Sequence, residues 1–326
     1  MHAAVLHTIG TVPRYEEFPE PVVENKNGEN KDGEVIVQVH AASLKSIDKQ
    51  LASGSHYASP RKLPCVCGTD GVGHLDDGQR VFFGGPRSPH GAMAQRTVVP
   101  RAFTFPVPDN LDDETAAALP NPGISAWLSL AYRAKLVRGE HVLILGATGV
   151  TGKLAIQIAK VLGAARVVAA GRNQQALGRL HSLGADATIS LASPAAELSE
   201  AFAREAGQAG FQVVIDYVWG QPAEAFLTAI TRKEFAAIQS EIRFVQVGES
   251  AAPTITLPAA VLRSTAVTIM GTAGVAPRDT LFHAFHQVMA HATKGELQIE
   301  TEKIPLADIE NAWQREEPGR RLVVTT

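Results

Sequence analysis

The sequence predicts an α/β protein: a doubly wound parallel sheet carried by a second domain that is nearly all β. Three observations point there. His141 to Asn173 reads as a strand, a glycine turn, a helix and a second strand. From there to Met270, short apolar runs alternate with segments of helical period, as in repeated βα units. The first hundred residues instead show short alternating runs separated by Gly, Pro, Asn and Asp.

Taken in order, strands are expected at Ala3 to Leu6, Glu34 to Val39, Gln79 to Phe83 and Met93 to Val98. Glu24 to Gly33 is a polar loop or hairpin tip. Ala41 to Asp48 leads into a short helix, Ser46 to Ala52. Asp112 is placed to cap a helix that Pro120-Asn121-Pro122 breaks, and Ile124 to Ala134 resumes helical spacing. Strands then follow at Val142 to Leu145, Val167 to Ala170, Ala187 to Ser190, Val213 to Tyr217, Ile242 to Val247 and Ala266 to Met270. Helices lie between them at Leu154 to Leu162, Gln174 to Leu183, Ala195 to Glu205 and Ala223 to Ile230. A long amphipathic helix, Thr280 to Thr293, precedes a strand near Gln298 to Thr301, a helix at Leu306 to Gln314 and a last strand at Arg321 to Val324. This tail is long enough to return to the β domain. Residues 1–120 and 272–326 are therefore assigned to the β domain, and residues 121–271 to the dinucleotide-binding domain.

The glycine turn is the first candidate site. Gly146-Ala147-Thr148-Gly149-Val150-Thr151-Gly152 has the spacing G-x-x-G-x-x-G, with Ala147 where the strict fingerprint has glycine. Gly149 and Gly152 permit close approach of backbone to a pyrophosphate, and the helix that follows presents free N–H groups to it. About twenty residues on, a site for NAD(H) carries an acid that bonds the ribose 2′-hydroxyl. Gly171-Arg172-Asn173 stands there instead. A guanidinium suits a 2′-phosphate, so the expected cofactor is NADP(H). Gly248, after the fifth strand of the parallel sheet, is placed where the nicotinamide should lie.

Thirty Lys and Arg against 33 Asp and Glu leave a formal charge of −3, without the basic excess of a nucleic-acid binder. No apolar run reaches the length of a membrane span and the N-terminus lacks the pattern of a secretory signal, so a cytoplasmic protein is expected. Cys65 and Cys67 read as small core residues, with a redox pair as the alternative.

The chain resembles the zinc-independent medium-chain dehydrogenase/reductases of the quinone oxidoreductase type over nearly its full length. The resemblance rests on Leu44 to Gly54, Gly68 to Gly73, Gly78 to Val81, Gly91 to Ala94, Gly146 to Gly152, Leu183 to Asp186, Leu262 to Thr272 and the tail from Ile309 to Val324. It implies a GroES-like β domain with an inserted Rossmann domain, a homodimer paired through the strand Ala266 to Met270, and hydride transfer from NADPH. The acceptor it implies is small, apolar and electron-poor: a quinone or an α,β-unsaturated carbonyl compound. A non-catalytic NADPH-binding sensor or structural protein and an enoyl-thioester reductase are the alternatives.

No metal is expected. Where the alcohol dehydrogenase branch has Gly-His-Glu, this chain has Gly68-Thr69-Asp70, and the cysteines of its zinc sites are missing. Where relatives often carry Asn, three residues before Asp48, stands Lys45. Lys45 is the candidate cation for an enolate-like transition state, or else a lysine facing solvent. Asp48 is a candidate acid on an exposed loop, or else pairs with Lys45 or caps locally. Asn121, in the break between two helices, is a candidate contact for substrate or nicotinamide. Arg315 falls where some relatives place a further arginine on the adenosine phosphate.

Overall fold

The structure, a computed structural model, describes residues 1–23, 33–231, 241–272, 276–317 and 319–326. The polar stretch expected as a loop or hairpin tip lies outside the described residues, apart from Gly33. The chain forms two compact units, Met1–Pro120 with Ile299–Thr326, and Asn121–Gln298.

The first unit opens with β1 (His2–Leu6), β2 (Arg14–Glu17), β3 (Glu34–Leu44), α1 (Ser46–Ser53), β4 (Cys65–Val66), β5 (Asp70–Leu75), β6 (Arg80–Gly84), β7 (Arg96–Pro100), β8 (Thr104–Pro106) and α2 (Asp113–Ala118). Strands β2, β1 and β4 form a small antiparallel sheet. Strand β5 hides from a search for alternating apolar residues because it reads DGVGHL. Its glycines are what make it a strand here: a Cβ at Gly71 would lie 2.6 Å from Ala41 O, and one at Gly73 would collide with Gln38 O. Those two residues let β5 lie close against β3. Met93, expected within a strand, precedes β7; its backbone bonds instead to Ala4 and Cys67. Helix α1 ends on Gly54, whose φ of 78° is the left-handed cap that glycine supplies without strain. Asp112 caps α2 as expected, its carboxylate accepting the Thr115 N–H at 2.7 Å.

The second unit runs α3 (Pro120–Trp127), β9 (His141–Leu145), α4 (Val150–Val161), β10 (Arg166–Gly171), α5 (Gln174–Arg179), β11 (Ala187–Ser190), α6 (Ala195–Ala206), β12 (Val213–Asp216), α7 (Gly220–Ile230), β13 (Ile242–Gln246), α8 (Ala259–Ser264), β14 (Val267–Gly271) and α9 (Arg278–Thr293). As expected, the helix capped by Asp112 ends before Pro120, at Ala118, and a new one begins at the prolines. They fall in the first turn of α3, where a missing N–H leaves no bond unmade. The six strands are parallel in the order β11-β10-β9-β12-β13-β14, which reverses between β9 and β12. Ligands of such sheets bind beyond the carboxyl ends of the strands at that reversal. Leu143, Val168, Val214, Phe226 and Phe244 fill the core beneath it.

Helix α9 corrects the assigned boundary. It belongs with the parallel sheet, and the chain returns to the first unit at Ile299 rather than at residue 272. A Cβ on Gly123 would lie 2.7 Å from Val288, Trp127 stacks on His291, and the Gln157 amide exchanges two hydrogen bonds with the Gln298 backbone. Clamped in this way, Gln298 precedes the strand expected around it, which begins at Thr301.

The tail supplies β15 (Thr301–Pro305), α10 (Ile309–Gln314) and β16 (Arg321–Thr325). Strand β16 pairs antiparallel with β3, Leu322 opposite Leu44, and so completes a seven-stranded sheet of the first unit. Leu44, Ile304, Ile309, Trp313 and Val324 share its core. The same register brings Arg321 beside the start of α1.

Candidate functional site

In the second unit, the turn after β9 is shaped by what glycine omits. A Cβ on Gly152 would collide with Gly146 O, so α4 can start this close to β9 only with glycine there. A Cβ on Gly149 would meet only Gly146 O, at an ordinary 3.5 Å. Space is therefore open on the Gly149 side of the turn. The N–H groups of Val150, Thr151 and Gly152, at the start of α4, have no carbonyl behind them in the helix. Thr148 packs against the end of β10, where a Cβ on Gly171 would lie 2.5 Å from the Thr148 methyl.

Arg172 follows, exposed and without an ion pair or hydrogen bond among the described residues. Asn173 is exposed too, but its carbonyl oxygen is committed: it caps α5 by accepting the Ala176 N–H at 2.9 Å. The turn after β13 packs against that after β12, since a Cβ on Gly248 would lie 2.8 Å from Tyr217 O.

Asp216, at the end of β12, went unnoticed in the sequence. It is fully buried. Its Oδ1 accepts the N–H groups of Val218 at 2.8 Å and Trp219 at 2.9 Å, while Oδ2 has no partner among the described residues. Burial raises its pKa to about 6, against the pull of the two N–H donors. Trp219, held by this turn, has φ 59°, a left-handed conformation that costs a tryptophan about 1–3 kcal/mol.

In the first unit, Asp48 pairs with Lys45 and caps α1, as its alternative reading had it, but the exposed placement of both residues is corrected. Neither faces solvent: their side chains are 2% and 0% exposed. The Lys45 ammonium donates to Ser43 O and to Asp70 Oδ1, both at 2.9 Å, and lies 3.3 Å from Asp48 Oδ2. Asp48 accepts the Lys45 backbone N–H at 2.8 Å, as an acid in a capping box does, and the Thr69 hydroxyl at 3.2 Å. Burial alone would lower the Lys45 pKa, but the two carboxylates outweigh it and hold the ammonium above its ordinary value. Arg321 stands close enough for both carboxylates to act on it, so two cations balance two anions. The physical reason for the correction is neutralisation: a buried lysine persists when acceptors surround it. Its three donors are spent inside the cluster rather than on an acceptor.

Asn121 is exposed at the start of the second unit. Arg315, in the first unit, is engaged by Glu317 and by Glu302, the latter at 2.8 Å. A cavity of about 610 Å³ opens beside α1 and β4, with Leu51, Ala52, Cys65, Cys67 and Thr69 in its walls.

The sequence profile of a family described as zinc-binding dehydrogenase matches residues 150–294. Along 99% of both chains, the protein is 26% identical to a probable NADPH-dependent quinone reductase, tdiC, of Emericella nidulans. A quinone oxidoreductase of Sus scrofa is 33% identical over 41% of this chain and 43% of its own length. The solved quinone oxidoreductase of Thermus thermophilus, also determined with NADPH, aligns over 100% of both chains at 26% identity and a TM-score of 0.78. In sequence and fold the chain is similar to medium-chain dehydrogenase/reductases of the quinone oxidoreductase-like kind.

The profile's description raises the question of zinc. The residues at hand do not fit it. Tetrahedral zinc takes Cys, His and carboxylate ligands, whereas here an ammonium stands between Asp48 and Asp70. Cys67 lies close by, but burial drives its thiol far up, away from the thiolate a metal needs. Among the described residues, no group of three or more His, Cys, Asp or Glu is placed to hold a metal ion. No described helix is long and apolar enough to cross a membrane.

Proposed function

We propose that this protein is an NADPH-dependent, zinc-independent reductase acting on quinones or α,β-unsaturated carbonyl compounds. The observation that carries the reading is Arg172: a guanidinium unpaired among the described residues, beside an open glycine turn, at the strand end where an acid would select NAD(H). The names of relatives agree with it, among them an NADPH-dependent alkenal/one oxidoreductase of Arabidopsis thaliana, 32% identical over 49% of this chain and 46% of its own length.

The residues divide the work as follows. The first N–H groups of α4 receive the pyrophosphate, and Gly149 leaves room for it. Arg172 pairs with the 2′-phosphate, and Thr148, set against Gly171, keeps the turn and the end of β10 in register. NADPH, when bound, supplies the hydride. With no Lewis acid to polarise a carbonyl, the acceptor itself must be electron-poor, and the protein's task is to position it in an apolar cavity. The proton comes from water. Free, buried thiols at Cys65 and Cys67 suit a reducing compartment, and we place the protein in the cytoplasm.

Strand β14 is the edge of the parallel sheet, half-buried at Val267, Ile269 and Met270, and Leu262 on α8 is 52% exposed. Pairing of β14 with its copy in a homodimer would cover that edge. Sedimentation that gives a monomer across micromolar concentrations would remove this part of the proposal.

The commitment of the Lys45 donors to their own cluster favours one second reading, a non-catalytic NADPH-binding protein. Titration with NADPH and NADH, followed by NADPH oxidation against a panel of quinones and enones, separates the two. Binding with turnover on an electron-poor acceptor supports the reductase, and binding without turnover on any supports the second reading. Equal affinity for NADH, or one tightly held zinc per chain, would overturn the proposal as stated.

A further inference from the structure

We infer that the acceptor carries an anionic group, held by Arg61 and Lys62 at the mouth of the cavity beside α1 while its unsaturated body lies against the apolar wall. This deepens the reductase reading and rests on it for the word acceptor. The binding claim stands on the cavity alone.

The wall is apolar where Leu6, Leu51, Ala52, Cys65 and Cys67 line it. Both thiols are pushed up by burial, so they present neutral surface. At the rim stand Arg61 and Lys62, both exposed and neither joined to any partner among the described residues. An exposed cation needs no carboxylate partner, so what matters for a ligand is whether nearby acids would cancel its charge, and in a chain of net charge −3 acids are not scarce. Here they are locally missing. Between Asp48 and Asp70 the chain carries Lys49, His56, Arg61 and Lys62 and no acid.

Residues 85–91, which supply Pro86, Ser88, Pro89 and His90 to the cavity, contain no acid either. Arg87 in that loop is paired with Glu34, and His90 makes a 3.2 Å contact to Pro19 O, which leaves Arg61 and Lys62 as the uncompensated charges. One carboxylate does line the cavity, Asp48, and Lys45 neutralises it. A second observation points inward: the Ser59 hydroxyl, in the same wall, is buried without a hydrogen-bond partner among the described residues. A buried hydroxyl left unpaired is costly, and a ligand oxygen would satisfy it.

An apolar wall, one unsatisfied hydroxyl and two free cations at the rim suit an amphiphilic ligand: a flat body with a carboxylate, sulfonate or phosphate. Charge held away from the reacting carbon binds ground state and transition state equally. It should therefore lower KM and leave kcat alone.

The experiment compares a naphthoquinone with its sulfonated analogue as NADPH oxidants, in the wild type and in the Arg61→Met/Lys62→Met double variant. Arg179→Met, in the other unit, serves as control. The wild type should show a KM for the sulfonated quinone lower by about ten-fold, the scale of one charge-assisted contact. The double variant should lose that advantage while kcat and the neutral quinone stay unchanged. Equal KM values in the wild type, or an advantage that survives in the double variant, would overturn the inference. Direct binding of anilinonaphthalene sulfonate against neutral phenylnaphthylamine, displaced by the sulfonated quinone, makes the same comparison without turnover. If no quinone is reduced, the reductase reading fails. The binding ratio then decides this inference separately: loss of the anion preference in the double variant supports it, and no change overturns it.

Discussion

The Lys45 ammonium lies 2.9 Å from the Asp70 carboxylate, and the two side chains are 2% and 9% exposed. Removing one partner of such a pair strands the other charge in the interior, at a typical cost of about 3–5 kcal/mol. Lys45→Met should therefore lower stability by that order in chemical denaturation. Adding Asp70→Asn should recover part of the loss. A Lys45→Met protein as stable as wild type, altered only in turnover, would instead restore the role that the sequence suggested for Lys45.

The two glycines of the turn should fail differently. Gly152→Ala drives a methyl into Gly146 O and should destabilise the fold. Gly149→Ala places its methyl in open space at φ −74° and ψ 166°, which alanine adopts freely, so melting should change little. NADPH affinity should nevertheless collapse if the pyrophosphate lies there. Undiminished binding in Gly149→Ala would move the cofactor away from this turn.

Reversing the charge at Arg172 tests cofactor choice. Arg172→Asp should weaken NADPH by roughly ten-fold or more, the scale of a charge-assisted contact turned repulsive, and leave NADH nearly unaffected. Parallel loss of both affinities would mean that the residue supports the fold rather than the phosphate.

Asp216 should impose a pH dependence of unusual sign. Its folded pKa of about 6 lies above the ordinary carboxylate value, so between about pH 4 and 6 the folded state binds more protons than the unfolded chain. Its contribution to stability is therefore largest in acid, falls by about 3 kcal/mol as pH rises through that window, and is flat above it. Asp216→Asn should abolish this slope, read as melting temperature against pH. An unchanged slope would assign the dependence to other groups.

How legible the molecule was depends on how local each signal is. The strands and helices of the parallel sheet show in the sequence because their periods are set by residues a few positions apart. The glycine turn and Arg172 show for the same reason. Strand β5 did not, since Gly71 and Gly73 qualify it through contacts with β3 rather than through apolar alternation. Helix α9 was recognised as a helix, but its period says nothing of which unit Val288 and His291 pack against. Of the cluster around Lys45, only the local pair with Asp48 could be read. It joins Asp70 through the pairing of β3 with β5 and Arg321 through the pairing of β16 with β3, across 277 residues in the bond from Arg321 to Leu44 O. Asn173 was read as a cofactor contact although its place before α5 already marked it as a cap.

The fit of the Thr148 methyl against Gly171 constrains how cofactor preference can drift. Any side chain at Gly171 would strike Thr148 and push the glycine turn away from β10, so mutations there are lost to folding before selection can weigh them. Asn173 is tied to the helix it caps. That leaves Arg172 as the position in the trio at which a mutation is tested for its effect on the cofactor alone, and an evolutionary path between the two nicotinamide cofactors would pass through that codon first.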